Sequence, residues 1–428
     1  MARARVHVEV YGCSASYADG EMIMGLLRER GYELSDESRS DVNVIVTCCV
    51  KTPTANRMLH RIRLLGSKPL VVAGCMPKAE RSSIEKVNPN ASLVGPDRIS
   101  KVVDAVEAAL EGRKAVYLDG KEIKLGYPRV VRNPVVGIVE IGSGCLGHCT
   151  FCQTKLAKGR LFSYPPELIL KEVERFVKAG AKEIWLTSTD DGAYGLDRGL
   201  SIGELVKMVA RVEGEFMIRV GMMSPEPLKK VLDGLLEAYE LEKVFKFAHV
   251  PVQSGSDRVL SLMGRGYTSG EFSDLVKRLR EVKGMTIATD VIVGFPTESE
   301  DEFYETVELI RRLKPDVVNL SKFSARPGTE AFRMKQLDNR TVKSRSVRMA
   351  KVIRDVTLKV NEKWIGWEGY ALVDERVKGA KLARNSSYRP IVVPESFELG
   401  SWVKVKIGSV TPNCLLSLQV VPKPVRRT

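Results

Sequence analysis

The feature that most constrains this chain is a short loop with three cysteines, Cys145, Cys149 and Cys152, in the spacing C-x3-C-x2-C. Three thiolates this close together can hold three irons of a cubane cluster and leave the fourth iron open, whereas ferredoxin-type clusters that only carry electrons use four cysteines. An open iron can bind a reactant, so the spacing indicates a catalytic metal site. The alternatives are scattered structural thiols or a zinc site with His148 as fourth ligand, although zinc motifs more often contain two C-x2-C pairs or spaced histidines.

The bulk composition predicts a multidomain globular protein, because 428 residues with 44% hydrophobic and 28% charged content can bury several cores. No apolar run is long enough to span a bilayer, and the first residues lack the apolar region of a secretion signal. We therefore expect a cytoplasmic protein that does not enter the membrane. Thiols stay reduced in that compartment, where clustered cysteines indicate metal or catalytic sites rather than disulfides.

Positive charge is concentrated near the carboxyl terminus. Residues 333–428 contain 20 Lys and Arg against 8 Asp and Glu, so they hold 12 of the 14 excess positive charges. Such asymmetry predicts a polyanionic partner engaged from that side of the molecule. The alternative is a solvated basic surface that only aids solubility. Residues 422–428 are expected to form a flexible basic tail.

Residues 1–112 alternate strand and helix patterns, which predicts a doubly wound α/β domain. Cys13, Cys48 and Cys75 each follow a buried strand, and the carboxyl ends of parallel strands share one edge of a sheet. The placement predicts a second three-thiolate cluster with an open iron, against the alternative that the thiols fall in these loops by chance. Cys49 adjoins Cys48, and because only one of the two can easily point at a metal, we select Cys48.

Residues 113–130 are expected to be a linker, and residues 131–365 show six strand-like runs separated by helices. This pattern predicts a partial (β/α)6 barrel whose active site lies at the carboxyl ends of the strands, where the cysteine loop would also sit. Asp290, inside the fifth strand, is either part of this site or a buried core carboxylate. The polar residues expected to line the pocket follow the later strands: Ser188, Thr189, Asp190, Ser224, Gln253, Ser254 and Glu298.

Residues 366–428 change to short strands separated by turns, which predicts a small β-barrel of the kind that binds nucleic acid. Lys404 and Lys406 alternate on one strand and share a face, and with Arg389 they are the expected RNA contacts. Tyr388 and Trp402 could stack on bases or could be ordinary core residues.

The cysteine loop, with Phe151 before its last cysteine, resembles the radical S-adenosylmethionine motif. Further motifs over nearly the whole chain resemble the methylthiotransferases, whose C-terminal TRAM domain the last barrel resembles. Within that family the chain looks most like the archaeal/eukaryotic-type tRNA enzymes; it departs from the family pattern at Val46, where asparagine is usual, and at Cys49. The matching motifs are Thr47-Cys48, Gly74-Cys75, Gly159-Arg160 with Ser163-Tyr164, and the runs 50–54, 219–225, 251–257 and 294–298.

The resemblance implies two 4Fe-4S clusters and S-adenosylmethionine. One cluster, on the loop, would cleave S-adenosylmethionine to a 5′-deoxyadenosyl radical, and the other, on Cys13, Cys48 and Cys75, would carry sulfur. Phe151 would lie against the cofactor adenine and residues 188–190 would bind its methionyl part, while Gln253, Ser254 and Glu298 would line the pocket.

The implied substrate is the anticodon stem-loop of tRNA carrying N6-threonylcarbamoyladenosine at position 37, methylthiolated at C2 by a monomeric enzyme served by an electron donor protein. The alternatives are action on isopentenyladenosine in tRNA, action on a ribosomal protein, or a non-catalytic RNA-binding iron–sulfur protein.

Overall fold

The computed structural model describes residues 4–49 and 52–423. Val50 and Lys51, which belong to the motif at 50–54, lie outside the described residues, as do the first three residues and residues 424–428, most of the predicted basic tail. No helix among the described residues is both long enough and apolar enough to cross a membrane.

The N-terminal domain is one parallel six-stranded sheet in the order β2-β1-β3-β4-β5-β6, which confirms the doubly wound prediction. Its strands are β1 (Arg5–Val10), β2 (Glu33–Leu34), β3 (Val42–Thr47), β4 (Leu70–Gly74), β5 (Ser92–Val94) and β6 (Val116–Tyr117). Its helices are α1 (Ser14–Glu29), α2 (Thr52–Leu65), α3 (Met76–Ala79), α4 (Arg81–Val87) and α5 (Val102–Leu110). β3 and β4 are apolar and fully buried because helices cover both faces of the sheet.

The segment 113–130, expected to be a linker, is part of the folded structure. It supplies β6, which pairs with β5 through Leu93 and Val116. Lys124, in the same segment, is fully buried and bonds Asp19 of α1 at 2.5 Å and Glu140 at 2.6 Å. The segment therefore extends the first sheet and fastens it to the next domain.

The central domain is a partial barrel of six parallel strands. Its strands form two hydrogen-bonded groups, β11-β10-β7 and β12-β13-β14, which isolated bridges from Ile218 to Val244 and from Met222 to His249 bring together. The six strands are β7 (Val136–Glu140), β10 (Glu183–Thr187), β11 (Met217–Val220), β12 (Phe247–His249), β13 (Thr286–Val293) and β14 (Val317–Lys322), and β8 (Gly142–Ser143) and β9 (Phe162–Ser163) form a separate pair.

Helices on the outside of the barrel bury an apolar face against these strands. These helices are α7 (Pro166–Lys178), α8 (Ile202–Ala210), α9 (Pro225–Glu240), α10 (Asp257–Leu262), α11 (Ser269–Leu279), α12 (Glu300–Leu313) and α13 (Asn339–Glu362). The short helix α6 (Thr154–Lys158) packs instead on the N-terminal domain. The outer surface of β7, through Val136 and Ile138, packs instead on the core of the N-terminal domain.

The C-terminal domain is a closed five-stranded barrel in the order β15-β16-β17-β19-β18, consistent with the TRAM-type prediction. Its strands are β15 (Glu368–Val377), β16 (Ala380–Asn385), β17 (Pro390–Val393), β18 (Trp402–Val410) and β19 (Leu415–Pro422). The sequence gives little sign of β16, because its alternation of small and charged residues lacks a clear apolar face. The barrel packs near the amino ends of the central strands, where Tyr388 contacts Phe245 and Phe247.

Candidate active site

The cysteine loop follows β7 and is closed at its neck by backbone hydrogen bonds. β8 pairs with β9, and the Cys145 amide donates to the Gly159 carbonyl at 3.2 Å. Gly144 adopts φ +77°, and a Cβ there would lie 1.9 Å from the Arg160 carbonyl oxygen, so only glycine fits. The loop is therefore a closed unit at the carboxyl end of the first barrel strand, as predicted.

The donor set suits a multinuclear cluster. A Cβ on Gly147 would lie 3.4 Å from Cys145 Sγ and 3.7 Å from Cys149 Sγ, so the absent side chain leaves the space between these thiols open. Among the described residues, neither cysteine triad has all three thiols within 4.8 Å of one another. A single zinc bound at about 2.3 Å would draw them closer. His148 is exposed, and the zinc alternative gains no support.

Burial raises the pKa of Cys145 to about 12, with the nearby Asp190 carboxylate adding to the effect, and burial also raises the pKa of Cys152. Thiolates in this loop are therefore unfavourable until a cation binds them. A metal cluster supplies that positive charge, which couples its binding to loss of the thiol protons.

A guanidinium that the sequence reading missed lies against this loop. Arg265 donates from Nη1 to Cys149 Sγ at 3.0 Å and from Nε to the Tyr267 hydroxyl at 2.9 Å. The same segment contacts the loop backbone, since the Thr150 amide donates to the Met263 carbonyl at 3.0 Å. Only the fold brings residue 265 beside residue 149, so spacing along the chain carried no sign of the contact.

One cavity of about 310 Å³ opens beside the loop and is lined by Cys145, Cys149, Asp190, Ser224 and Arg265. Asp190 is buried, and its Oδ1 accepts the Ser224 amide at 2.9 Å. Burial raises the pKa of Asp190.

The side chains of Ser188 and Thr189, which precede Asp190, differ from it in their hydrogen bonds. Ser188 donates to Asp191 Oδ1 at 2.6 Å, and burial raises the pKa of Asp191 to about 7. The Thr189 hydroxyl oxygen is buried and has no hydrogen-bond partner within the described part of the chain. Asp190 and Ser224 thus reach the cavity beside the thiols, whereas the Ser188 side chain supports the loop through Asp191.

A second cavity of about 440 Å³ lies on the other side of the loop, lined among others by Phe151, Cys152, Gln253 and Asp290. Gln253 adopts φ +70°, and its backbone amide donates to the Asp290 carbonyl at 2.9 Å. Its side-chain oxygen has no hydrogen-bond partner among the residues that the structure describes. A strained backbone that presents an amide at a cavity is typical of a binding position.

Asp290 is not a sealed core carboxylate. Its side chain is 30% exposed and accepts from Asn319 Nδ2 at 2.8 Å, and it bonds His249 Nε2 at 3.0 Å. This polar group at the barrel mouth was visible in the sequence only as one charged residue inside an apolar strand.

Two predicted pocket residues serve the fold instead, and their assignment to the pocket lining was wrong. Ser254 is fully buried, and its hydroxyl bonds Thr306 Oγ1 at 3.3 Å. Glu298 is buried and accepts from the Gly294 amide at 2.8 Å and from Arg345 at 2.7 Å. Neither side chain lines either cavity.

The N-terminal cysteines meet the barrel close to the first cysteine loop. Ser14, beside Cys13, is 2.8 Å from Thr187 Oγ1 at the end of β10. Ala157 of α6 packs against Cys49 and Cys75, and a hydrogen bond with Cys49 together with burial raises the pKa of Cys75. Helix α6 begins two residues after Cys152, so this five-residue helix joins the two cysteine sites.

Within the N-terminal site the two adjacent cysteines take different surroundings. Thr47 pairs with Gly74, which places Cys48 and Cys75 one residue beyond the same rung of the sheet. The Cys48 side chain packs in the core with Met58 and others, while the Cys49 thiol lies next to Cys75 and contributes to its raised pKa.

Charged groups fasten the domains around both sites. Lys158 is buried, is 4.0 Å from Glu140 and lies close enough to Cys75 for their charges to interact. Arg326 bonds Gln153 at 2.9 Å and also Glu80, so it ties the end of β14 to the cysteine loop and to the N-terminal domain.

The predicted RNA contacts separate into two groups. Lys404 is exposed, and Lys406 is partly exposed and pairs with Glu368 at 2.9 Å. Arg389 is only 2% exposed, bonds Asn361, and pairs with Asp316 at 3.3 Å. The assignment of Arg389 to RNA was wrong, because this guanidinium joins the C-terminal barrel to the central domain. Tyr388 is likewise a core residue.

Residues 139–310 match the Radical SAM superfamily, and residues 5–95 match the uncharacterized protein family UPF0004. Each segment contains one cysteine triad. Among solved structures, the radical S-adenosylmethionine methyltransferase TsrM from Kitasatospora setae aligns with a TM-score of 0.58 at 15% identity, covering 89% of this chain and 81% of that one. This likeness supports the fold.

Relatives over nearly the full length are named threonylcarbamoyladenosine tRNA methylthiotransferases. The probable enzyme of Pyrococcus horikoshii is 42% identical over 96% of this chain and 98% of its own length. That of Methanothermobacter thermautotrophicus is 40% identical over 96% and 99%. The Drosophila melanogaster enzyme is 37% identical over 95% of this chain and 76% of its own length. The chain therefore belongs to the family of threonylcarbamoyladenosine tRNA methylthiotransferases.

Proposed function

We propose that this protein converts N6-threonylcarbamoyladenosine at position 37 of tRNA to its 2-methylthio derivative by radical chemistry. The observation that carries the proposal is helix α6. It begins beside the Cys145–Cys149–Cys152 loop and packs its Ala157 against Cys49 and Cys75, which supports two adjoining thiol sites at one barrel mouth.

The chemistry that requires this pairing is substitution at an adenine C2–H bond, which ordinary acid–base or nucleophilic catalysis does not activate. When bound, one iron–sulfur cluster with S-adenosylmethionine would supply a radical able to take that hydrogen atom, a second cluster would supply the sulfur, and a second molecule of S-adenosylmethionine would supply the methyl group. The protein contributes the thiols, the two cavities and the exclusion of water. Cys145, Cys149 and Cys152 hold the first cluster.

For the second cluster we propose Cys13, Cys48 and Cys75 as ligands. The common rung of Cys48 and Cys75 supports this set, since equivalent positions on adjacent parallel strands present their side chains together. The packing of Cys49 against Cys75 makes Cys49 the competing ligand, and substitution of each cysteine in turn distinguishes Cys48 from Cys49.

The two cavities divide the remaining roles. Asp190 and Ser224, beside Cys145 and Cys149, are placed to hold the methionyl part of S-adenosylmethionine, with residues 188 and 189 shaping that loop. Phe151 and Gln253 line the 440 Å³ cavity, where Phe151 offers a ring face and Gln253 a free amide oxygen to an adenine. These groups orient the reactants while the cofactors perform the bond changes.

The C-terminal barrel contributes binding of the tRNA phosphates through Lys404 and the partly paired Lys406. The target base must leave the stack of the anticodon loop to reach the barrel mouth. We further propose that the chain acts as a monomer and receives its electron from a donor protein.

Nucleoside analysis of tRNA from cells with and without this protein tests the proposal. We expect the 2-methylthio derivative of N6-threonylcarbamoyladenosine to disappear when the protein is absent and to return on complementation. Unchanged 2-methylthio content would refute the assignment. Loss of 2-methylthio-isopentenyladenosine instead would change the substrate but retain the chemistry.

A further inference from the structure

Helix α13 connects the barrel mouth with the C-terminal domain. Near its start, Arg345 donates to Glu298 at 2.7 Å, and Val342 packs against Gly294 at the end of β13. At its other end, Asn361 donates to the Thr411 carbonyl of the C-terminal barrel at 2.7 Å. Its 24 residues span about 36 Å.

The two sides of this helix use their positive charges differently. The side facing the barrel carries Arg345 and Arg348, which pair with Glu298 and Glu300 respectively. The other side carries four exposed cations that make no ion pair with any described residue: Arg340, Lys343, Lys351 and Arg354.

The spacing of the four cations aligns them. At about 100° per residue, the positions i, i+3, i+11 and i+14 fall within a stripe about 80° wide and about 21 Å long. Val347, 64% exposed, lies on the same stripe, which contains no acidic residue. We call these four cations the α13 stripe.

We propose that the α13 stripe binds the phosphate backbone of the tRNA substrate along the flank of the barrel. The proposal rests on the proposed function and adds the path of the RNA. The cysteine loop lies at the carboxyl ends of the strands, whereas the C-terminal barrel docks near their amino ends through Arg389 and Asp316. An RNA that contacts both must run along the outside, and α13 is the element that joins them.

The positive charge of the α13 stripe favours a polyanionic partner. Four cations that pair with no described residue, in a line about 21 Å long, match a polyanion with regularly spaced charges. The stripe has no exposed aromatic side chain, which favours backbone over base contacts. The Lys404 side of the C-terminal barrel would then contact RNA distant from the target base. The stripe positions the RNA without reading its sequence.

The test compares two variants with equal loss of charge. R340Q/K343Q/K351Q/R354Q removes the stripe, and K171Q/R211Q/K277Q/K283Q removes four exposed cations from other barrel helices and loops. Binding of tRNA carrying N6-threonylcarbamoyladenosine is measured from 0.05 to 0.3 M salt. We expect Kd of the stripe variant to rise about 10²-fold near 0.15 M salt. The negative slope of log K against log salt should become shallower by about 3, because each of the four lost phosphate contacts removes about 0.7 to 0.9 of a unit.

The control variant should stay within about threefold of the wild type, since long-range effects of net charge are screened at this salt concentration. Equal weakening of both variants, or an unchanged slope in the stripe variant, would overturn the proposal. Thermal unfolding and iron content establish that both variants fold. If the wild-type protein itself fails to bind tRNA, the proposed function is at fault rather than the stripe.

Discussion

The two cysteine sites contain three thiols each, but the chain assembles them in opposite ways. Cys145, Cys149 and Cys152 lie within eight residues in a loop closed by its own backbone hydrogen bonds. Cys13 and Cys75 are 62 residues apart, and with Cys48 they follow three adjoining strands of one sheet, β1, β3 and β4. The first site needs only local closure, whereas the second requires the complete N-terminal fold.

Each site has its own buried or partly buried cation. Arg265 bonds Cys149 directly, and Lys158 lies near Cys75 while also facing Glu140. Charges and hydrogen bonds at the sulfurs set the reduction potential of iron–sulfur clusters. If each site holds the cluster proposed for it, the two cations act on different clusters, and substitutions should separate radical formation from sulfur transfer.

The largest effect is expected for C149A. Loss of one of three ligands leaves the first cluster unstable, so formation of 5′-deoxyadenosine from S-adenosylmethionine under reducing conditions should fall by at least about 10³-fold, and no methylthio product should form. Liquid chromatography of both products measures this. Residual 5′-deoxyadenosine at wild-type rate would remove the loop from the radical step.

C75A should separate the two activities. We expect 5′-deoxyadenosine formation within about twofold of the wild type but loss of the methylthio product by about 10²-fold or more, because only the sulfur-carrying site is damaged. Iron should fall from about eight to about four per chain if each site holds a four-iron cluster. Parallel loss of both activities would show that the sites are not independent.

C48A and C49A decide which of these two adjacent cysteines is a ligand at the second site. We expect C48A to match C75A in iron content and product, and C49A to retain both, because Cys48 shares a rung with Cys75. Iron analysis and electron paramagnetic resonance of the reduced proteins decide between them. The reverse pattern would assign the ligand to Cys49, in agreement with its packing against Cys75.

R265M tests the cation at the first site. Supporting groups around metal ligands typically contribute about 10- to 100-fold to affinity or activity, so we expect 5′-deoxyadenosine formation to fall by about tenfold or more and the cluster potential to become more negative. R265K, which keeps the charge, should restore part of both. A variant with normal potential and normal rate would leave Arg265 a structural residue.

K158M is the matched change at the second site and should have the smallest effect. Glu140 keeps Lys124 at 2.6 Å as a partner, so the fold should tolerate the loss. We expect about a tenfold decrease in methylthio product with normal 5′-deoxyadenosine, and a more negative potential for the second cluster only. A shift in the first cluster instead would place Lys158 with the cysteine loop.

Sequence patterns were sufficient wherever the relevant information is local. The cysteine spacing, the alternation of strands and helices, and the turn residues of the last domain depend on neighbours along the chain, and the structure confirms the three fold types that they predicted. The linker prediction was incomplete because the polar segment 113–130 becomes ordered only through partners distant in sequence, Asp19 and Glu140 among them.

The roles of individual side chains also depended on contacts distant in sequence, which the sequence pattern does not show. Arg389 looks like an RNA contact in a basic strand, but Asp316, 73 residues earlier, draws it into an interface. Ser254 and Glu298 follow strands as pocket residues would, but their side chains are buried through hydrogen bonds with Thr306 and Arg345 respectively. A pattern gives the position of a residue along a strand, whereas its partners depend on packing.

The sequence by itself therefore determined that this protein has a three-thiol loop at the mouth of a parallel barrel, a second set of thiols on a doubly wound sheet and a basic C-terminal end. Local backbone geometry and hydrophobic periodicity are sufficient for those conclusions. Only the tertiary structure decided that α6 joins the two thiol sites, that Arg265 bonds Cys149, and that the C-terminal barrel lies away from the mouth. These are contacts between segments distant in sequence, and burial of the shared apolar cores brings those segments together.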